Sequence, residues 1–317
     1  MSLGKNKITF TVLISLLCTA MYLFFGIKGG NLSFALEYRG IKAVAILIVS
    51  CCVAFSAVSF QTITGNKILT PSIMGFEAVF MLLQSMLVFL YSDKTFKVMN
   101  SFENFTVSVL CMMAFSMLMY LLTKNKGRNN LYLLLLVGLV FGLLIDSVNS
   151  FIQLLIDPND FFIIQGKMFA TFNKINKDIL WYAGAVIVPL LAIGLRYHKK
   201  LDILSLGRDQ AISLGLNYRK TVRSLFLIIA VMVSLSTALV GPVGFLGLLT
   251  ANLTYELLKT YRHKIILPVC CLVTFIIIIS GQFLTEHVFN LKTPVTTIIN
   301  FFGGIYFLLL ILNAKKI

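Results

Sequence analysis

Long uninterrupted apolar stretches constrain this chain more than any other feature of its sequence. They cover about residues 8–27, 41–60, 72–91, 105–123, 131–152, 179–195, 222–240, 265–281 and 295–312. A helix that crosses a bilayer needs about 20 apolar residues, because it rises about 1.5 Å per residue through a hydrocarbon layer about 30 Å thick. The stretches are continuous rather than alternating, which favours helices over the strands of a barrel. The sequence therefore predicts an all-α, polytopic membrane protein.

Composition points to the same class. Hydrophobic residues make up 58% of the 317 residues and charged residues 12%, and the mean hydropathy is +0.93. A soluble domain carries about a quarter charged residues, so this chain could not cover a soluble surface. No soluble segment of domain size separates the apolar stretches, and we expect a single transmembrane domain over residues 1–317 surrounded by membrane lipid.

A weaker apolar stretch at about 243–258, interrupted by Thr250 and Asn252, decides the topology. If it spans the membrane there are ten spans, and both termini lie on the same side. With the N-terminus inside, the inner segments carry about twice as many Lys and Arg as the outer ones, which fits the positive-inside rule. Leaving the stretch out would place Lys315 and Lys316 outside. We therefore predict about ten transmembrane helices in the plasma or inner membrane, with both termini cytoplasmic.

The net charge of +15 does not indicate nucleic-acid binding, because the basic residues are spread through short loops between spans. All six cysteines fall inside apolar stretches and the three histidines are scattered, so we expect no metal site and no cofactor. The chain has no G-x-x-x-x-G-K-[ST] loop and no recognisable nucleophile–base pair. It is predicted not to be an enzyme, so the energy for any transport must come from elsewhere.

The stretch Leu201–Arg223 is the longest polar run between two apolar segments that still has a folded pattern. Its periodicity predicts two short amphipathic helices with breaks at Gly207 and Gly215. Basic residues on both flanks place it in the cytoplasm. It is either a structured handle for a soluble partner or an ordinary loop on the lipid surface. The outer segment 146–178 is also amphipathic, which fits either a folded cap over an opening or an interfacial helix.

Several blocks carry a resemblance to a known family. They are residues 61–75 (QTITGNKILTPSIMG), 204–216 (LSLGRDQAISLGL), 241–249 (GPVGFLGLL) and 261–268 (YRHKIILP). In order and spacing they resemble the permease subunits of iron–siderophore, haem and vitamin B12 importers of the ATP-binding-cassette (ABC) type. Within that family the chain is most similar to the paired permeases for catecholate siderophores of the petrobactin or enterobactin kind, on residues 155–160, 237–249 and 258–264.

The resemblance implies a particular assembly and mechanism. Such permeases have ten helices and pair side by side, either as homodimers or as two related chains, around a path for the ferric chelate. Two ATPase subunits dock on the cytoplasmic face, and an extracytoplasmic binding protein or lipoprotein delivers the chelate. ATP binding and hydrolysis on the partner would then drive alternating access.

The resemblance also assigns a role to the segment around residues 206–216, which matches the cytoplasmic coupling helices of the family. Apolar Ala211, Leu214 and Leu216 are expected to form a buried anchor, and Arg208 and Asp209 a polar rim. The full set of expected ATPase-coupling residues is Leu204, Leu206, Gly207, Arg208, Asp209, Ala211, Leu214, Gly215 and Leu216.

Arg39 and Lys42 stand where the family has paired basic residues that meet glutamates of the binding protein. Without the resemblance, a pair of basic side chains reaching out from a helix end is as good an explanation. Near the outer end of the ninth span this chain has Gln282 and Glu286, where the family commonly has an Asp and an Arg. We therefore expect docking that departs from the family average.

Glu77 is the one acid that we place inside a predicted span. Intramembrane carboxylates are costly and face a cavity or a partner, so Glu77 could line the transport path. The alternative, which we favour, is a side chain that reaches the cytoplasmic interface or pairs with Lys67. An ion-gradient-driven secondary transporter is the alternative function, and it would need ionisable groups at mid-membrane. Only Glu77 offers one.

Overall fold

The computed structural model describes residues 2–26, 32–91, 100–124, 131–173 and 175–314. Over these ranges the regular structure is helical and includes no strand. The helices are α1 (Ser2–Phe24), α2 (Leu32–Thr64), α3 (Phe76–Tyr91), α4 (Ser101–Lys124), α5 (Leu131–Leu155), α6 (Pro158–Gln165), α7 (Lys177–Arg196), α8 (His198–Leu204), α9 (Arg208–Ser213), α10 (Tyr218–Val240), α11 (Gly244–Leu258), α12 (His263–His287) and α13 (Val295–Ala314). The all-α fold class is confirmed.

Each of the ten predicted spans falls on one of these helices. Among the described helices, seven are long and apolar enough to cross a membrane, namely α1, α2, α4, α5, α7, α10 and α12. Helices α3 and α13 are shorter apolar helices, and α11 corresponds to the weaker apolar stretch at about 243–258. Ile27, the predicted end of the first span, and Lys315 and Lys316, which bear on the predicted topology, lie outside the described residues.

Two helices extend well beyond their predicted spans. Helix α2 begins at Leu32 rather than near residue 41, and α12 continues to His287 rather than ending near residue 281. The extensions carry the charged residues Glu37, Arg39 and Glu286, which are typical of loops in a membrane protein. In the folded chain each of these side chains has a partner.

The centre of the bundle is the pair α2 and α12, which pack along each other. In the apolar part of α2, 72% of the residues are buried inside the protein, whereas only 17% are buried in α1 and in α5. A helix that is apolar on all sides lies either in a protein core or in lipid. Helix α2 lies in the core, and α1 lies at the lipid-facing surface. Helices α7, α10 and α11 pack around α2, while α1, α11 and α13 pack against α12.

The block ending in PSIMG folds as a buried break between α2 and α3. Pro71–Met74 form one 3₁₀ turn, and Gly75 follows with a φ of +86°. A Cβ at Gly75 would lie 2.8 Å from the Cα of Gly142 in α5, so glycine satisfies both the backbone conformation and the close packing. Non-helical backbone at this depth is tolerated because protein surrounds it.

The outer segment 146–178 is folded onto the bundle. Ile164, Ala170 and Phe172 are buried, and the Thr171 N–H donates to the Val240 carbonyl at 2.9 Å. This segment lines a cavity of about 650 Å³ near the outer end of α3, which agrees with a cap. Exposed Phe151, among others, still faces outward as an interfacial helix would.

Candidate functional site

The polar stretch after α7 forms the two short helices that the sequence predicts, α8 and α9. Gly207 precedes α9 with a φ of +99°, and Gly215 follows it with a φ of +80°. At the C-terminus, the Gly215 N–H donates to the Ile212 carbonyl at 2.9 Å and the Leu216 N–H to the Ala211 carbonyl at 3.0 Å. This is the Schellman arrangement, which satisfies the last carbonyls of a helix. The two breaks therefore have defined geometry rather than being loose loop.

One face of residues 198–216, which we call the α8–α9 segment, is anchored on the bundle. Leu201 and Ala211 are fully buried and Leu204 is 4% exposed, all within the same core cluster as α2 and α10. Leu216 is half-buried against that cluster. The segment is therefore held to the transmembrane helices by apolar contacts rather than lying on a lipid surface.

The opposite face carries apolar side chains that nothing in the described part of this chain covers. Leu206 is 56% exposed, Ile212 50% and Leu214 61%. Arg208 and Asp209 beside them are exposed, as predicted for a polar rim. We call Leu206, Ile212 and Leu214 the apolar triad. Exposed apolar side chains on a rigid element with a polar border are typical of a protein contact surface.

The predicted anchor of Ala211, Leu214 and Leu216 is divided between the two faces. Ala211 is buried inside this chain and anchors α9 on the bundle, as Leu204 does for α8, whereas Leu214 is 61% exposed. The ATPase-coupling role of the set stays a prediction. Ile212 is not among the predicted coupling residues, but it lies on the exposed side. Its neighbour Ala211 is the sequence signal for this position. A small alanine fits closely against the bundle, so the larger isoleucine beside it is expected to point away.

At the end of the bundle opposite α8 and α9, Arg39 and Lys42 have partners within the chain. Arg39 Nη1 donates to the carbonyls of Tyr22, Leu23 and Phe25 at 3.0, 3.1 and 2.8 Å, so it satisfies the C-terminus of α1. Cations near a helix C-terminus also stabilise the helix dipole.

Lys42 is buried, with 5% of its side chain exposed, and its Nζ lies 2.7 Å from Glu286 Oε1 and 2.9 Å from Asn173 Oδ1. Glu286 also accepts from Tyr22 and from Gln282, at 3.0 and 2.7 Å. The two departures from the family pattern, Gln282 and Glu286, thus belong to the same polar network as Lys42. Docking to a binding protein stays a prediction for Arg39, whereas Lys42 offers such a partner no surface in this conformation.

Glu77 begins the first turn of α3 and faces the start of α11. Its Oε1 accepts from the Ser72 hydroxyl at 3.1 Å and from the Val243 N–H at 3.2 Å. A carboxylate at a helix N-terminus is favourable because it meets unsatisfied N–H groups and the positive end of the dipole. The predicted pairing with Lys67 is wrong, because Lys67 lies over the ring of Tyr255, 5.2 Å from its centroid.

The Glu77 carboxylate also lines a small internal cavity of about 30 Å³, together with Ser56 and Thr237. Such a volume is enough for a water molecule but not for a chelate. The other prediction for Glu77, a residue of the transport path, is not tested by this arrangement.

Within the described ranges, no group of three or more His, Cys, Asp or Glu side chains could hold a metal ion. The six cysteines are all free thiols. Two features stand out among the described residues: the polar contacts that join helices to one another, and the exposed apolar triad.

Comparison with known proteins assigns this architecture to a family. The model of the FecCD transport family matches residues 1–313. The chain is 44% identical to the petrobactin import system permease protein YclO of Bacillus subtilis over 99% of both chains. It is 35% identical to the petrobactin import system permease protein FatC of Bacillus anthracis, covering 88% of this chain and 79% of that one.

A solved structure of a metal-chelate type ABC transporter in an inward-facing conformation superposes with a TM-score of 0.85. It covers 97% of this chain and 99% of its own at 19% identity, which establishes the shared fold. Sequence and fold agree over nearly the whole length. The chain therefore belongs to the FecCD transport family, whose members are membrane-spanning permease subunits of ABC importers and thus transport components rather than enzymes.

Proposed function

We propose that this permease carries a ferric siderophore of the catecholate type, in the class of petrobactin, from the outer face of the membrane to the cytoplasm. The observation that carries the proposal is the 44% identity to a petrobactin permease over 99% of both chains. A second petrobactin permease at 35% identity supports the same substrate class.

The substrate is tested by replacing YclO with this chain in Bacillus subtilis and measuring uptake of ⁵⁵Fe-labelled ferric petrobactin. We expect uptake to be restored, with little uptake of a ferric hydroxamate supplied at the same concentration. Uptake of the hydroxamate alone would overturn the substrate class and leave the import function standing. A chain that inserts stably and carries neither chelate would overturn the proposal.

The ATPase contact is proposed to be the apolar triad: Ile212 on α9, Leu206 just before this helix and Leu214 just after it. Its support is that the opposite face of the same segment is anchored by buried Leu201 and Ala211. A rigid element with one face in the bundle and one face free can transmit the movement of a partner to the helices, which a loose loop cannot. Closure of the ATPases would then alternate the access of the path.

The end of the bundle that carries α8 and α9 is proposed to be cytoplasmic, as are both termini. The start of α1 reaches this end, because Lys7 Nζ donates to the Leu257 carbonyl at 2.7 Å. Lys259, Arg262 and Lys264 cluster nearby in sequence, which agrees with the positive-inside rule.

At the outer end we propose that an extracytoplasmic binding lipoprotein delivers the chelate to a pair of permeases, formed with a copy or with a related chain. Arg39 is the residue best placed to orient such a partner. A secondary, ion-driven mechanism is not favoured, because Glu77, its one sequence candidate, accepts hydrogen bonds from Ser72 and Val243 and faces a helix N-terminus.

A further inference from the structure

A polar contact links the α8–α9 segment to the centre of the bundle. Asp202 lies on α8 and points toward the first residue of α12, His263. Its Oδ1 accepts from the His263 backbone N–H at 2.7 Å and lies 2.8 Å from the His263 ring atom Nδ1. A carboxylate only accepts, so Nδ1 carries the proton and donates. Asp202 thereby caps α12 from a different helix.

The far side of the same ring reaches a third helix. His263 Nε2 lies 2.8 Å from the Thr62 hydroxyl, in the last turn of α2, and the same hydroxyl lies 2.8 Å from the Val58 carbonyl, so its one hydrogen is shared between two acceptors. The His263 side chain is only 4% exposed, whereas Asp202 is 36% exposed at the edge of the segment. The imidazole therefore joins α8, α12 and α2 through polar contacts on its two sides.

These three helices are the ones that a coupling device would have to join. Helix α8 packs against both α2 and α12, and those two form the central pair of the bundle. Pro268 follows one turn after His263 inside α12 and has no N–H to bond the carbonyl one turn back. The first turn of α12 is therefore held less tightly to the rest of its helix than an ordinary turn would be, and Asp202 holds it to α8.

From this geometry we infer that Asp202, His263 and Thr62 are positioning residues for energy coupling: they transmit movement of α8 and α9 to the central pair α2 and α12. The apolar contacts of Leu201 and Leu204 keep the segment attached to the bundle, and the polar contacts determine how its movement displaces α2 and α12. This inference rests on the proposed function, since it presupposes an ATPase that moves the segment.

The test is the amount of ferric petrobactin taken up per ATP hydrolysed by the assembled transporter in proteoliposomes. His263→Asn keeps a donor where Nδ1 stands and loses the contact to Thr62, whereas His263→Gln keeps a group where Nε2 stands and loses the contact to Asp202. We expect each, and also Asp202→Ala and Thr62→Val, to lower this ratio about fivefold, the effect of one lost hydrogen bond of ordinary strength.

Matched controls separate coupling from folding. Thr64→Val removes a hydroxyl two residues further on that bonds only within the end of α2 and its loop, and Asp178→Ala removes an exposed acid at the start of α7, far in sequence from Asp202. Both should keep the ratio of the unchanged protein. Thermal stability and ATPase content, measured on the same preparations, should stay close to wild type for Thr62→Val, which removes a single hydroxyl from a helix end.

The double variant Asp202→Ala with Thr62→Val should be no worse than either single change, because the contacts act in series. Additive losses, or a normal uptake-to-ATP ratio in Thr62→Val, would overturn the inference while wild-type transport stands. Absence of ATP-driven uptake in the unchanged protein would be a failure of the proposed function instead, so the two failures are distinguishable.

Discussion

Ala211 and Ile212 are neighbours in the chain that lie in opposite environments. Ala211 is fully buried against the bundle, and Ile212 is 50% exposed on the other side of α9. The same helix therefore carries an anchor and a contact surface on adjacent residues. Substitutions at these two positions should have different kinds of consequence, which makes them a sensitive test of the assignment.

Ala211→Arg should destabilise the permease itself. A long charged side chain at this site overpacks the core, which costs about 1–3 kcal/mol before the charge is considered. Ile212→Arg places the same side chain on the exposed face and should leave the melting temperature of the permease within a degree or two, while it weakens ATPase co-purification. Thermal denaturation and pull-down of both variants decide the matter. Equal loss of stability in the two would contradict the assigned orientation of α9.

Lys42 and Glu286 form a buried ion pair that was not predicted from the sequence. Lys42→Met leaves the Glu286 carboxylate buried without its partner and should cost about 3–5 kcal/mol of unfolding free energy. Adding Glu286→Leu should recover part of that loss, because no unpaired charge then remains although Tyr22 and Gln282 lose an acceptor. Chemical denaturation of the single and double variants measures both effects.

Lys177 and Glu37 provide the matched control for this pair. They are also in contact at the outer end, but their side chains are 56% and 64% exposed. Lys177→Met should cost no more than about 1 kcal/mol, because solvent screens an exposed pair. A loss equal to that of Lys42→Met would contradict the part that burial plays in this account.

At the scale of elements, α9 depends on glycine to end where it does. Gly215 has a φ of +80°, and a Cβ at this position would have open space around it, so the penalty for a larger residue is conformational and not steric. Gly215→Ala should cost about 1–2 kcal/mol locally and loosen the position of Leu214. The expected outcome is weaker ATPase association with little change in the bundle.

Gly40→Ala is the control, because Gly40 lies in α2 with equally open surroundings and no positive φ. It should be neutral or slightly stabilising, since alanine is the better helix former. ATPase pull-down and thermal denaturation apply to both variants. Unchanged ATPase binding in Gly215→Ala would mean that the geometry of α9 does not matter for the contact.

The elements were largely predictable from sequence, and their mutual contacts were not. Span lengths follow from the apolar stretches, and Gly207 and Gly215 mark the ends of α9 because few other residues adopt a positive φ. The partner of Lys42 is 244 residues away in the chain, and Glu77 bonds a residue 166 positions away. No local pattern carries such pairings, because they are fixed only when the helices pack.

At the scale of the whole molecule, the two ends of the bundle are built differently. One end carries the buried polar contacts around Glu286 and the folded segment 146–178. The other end presents the apolar triad and, behind it, the contacts of His263 with α8 and α2. This asymmetry suits a bundle that receives its cargo at one end and its driving force at the other.

The most direct test of the account is photo-cross-linking from single positions of the complete transporter in intact cells. A photoreactive amino acid at Leu214 is compared with one at Phe162, an outer-segment residue that is 71% exposed. The account predicts a cross-link to the ATPase subunit from position 214 and none from position 162. An ATPase cross-link from position 162, or labelling of position 214 by an extracellular partner, would contradict it.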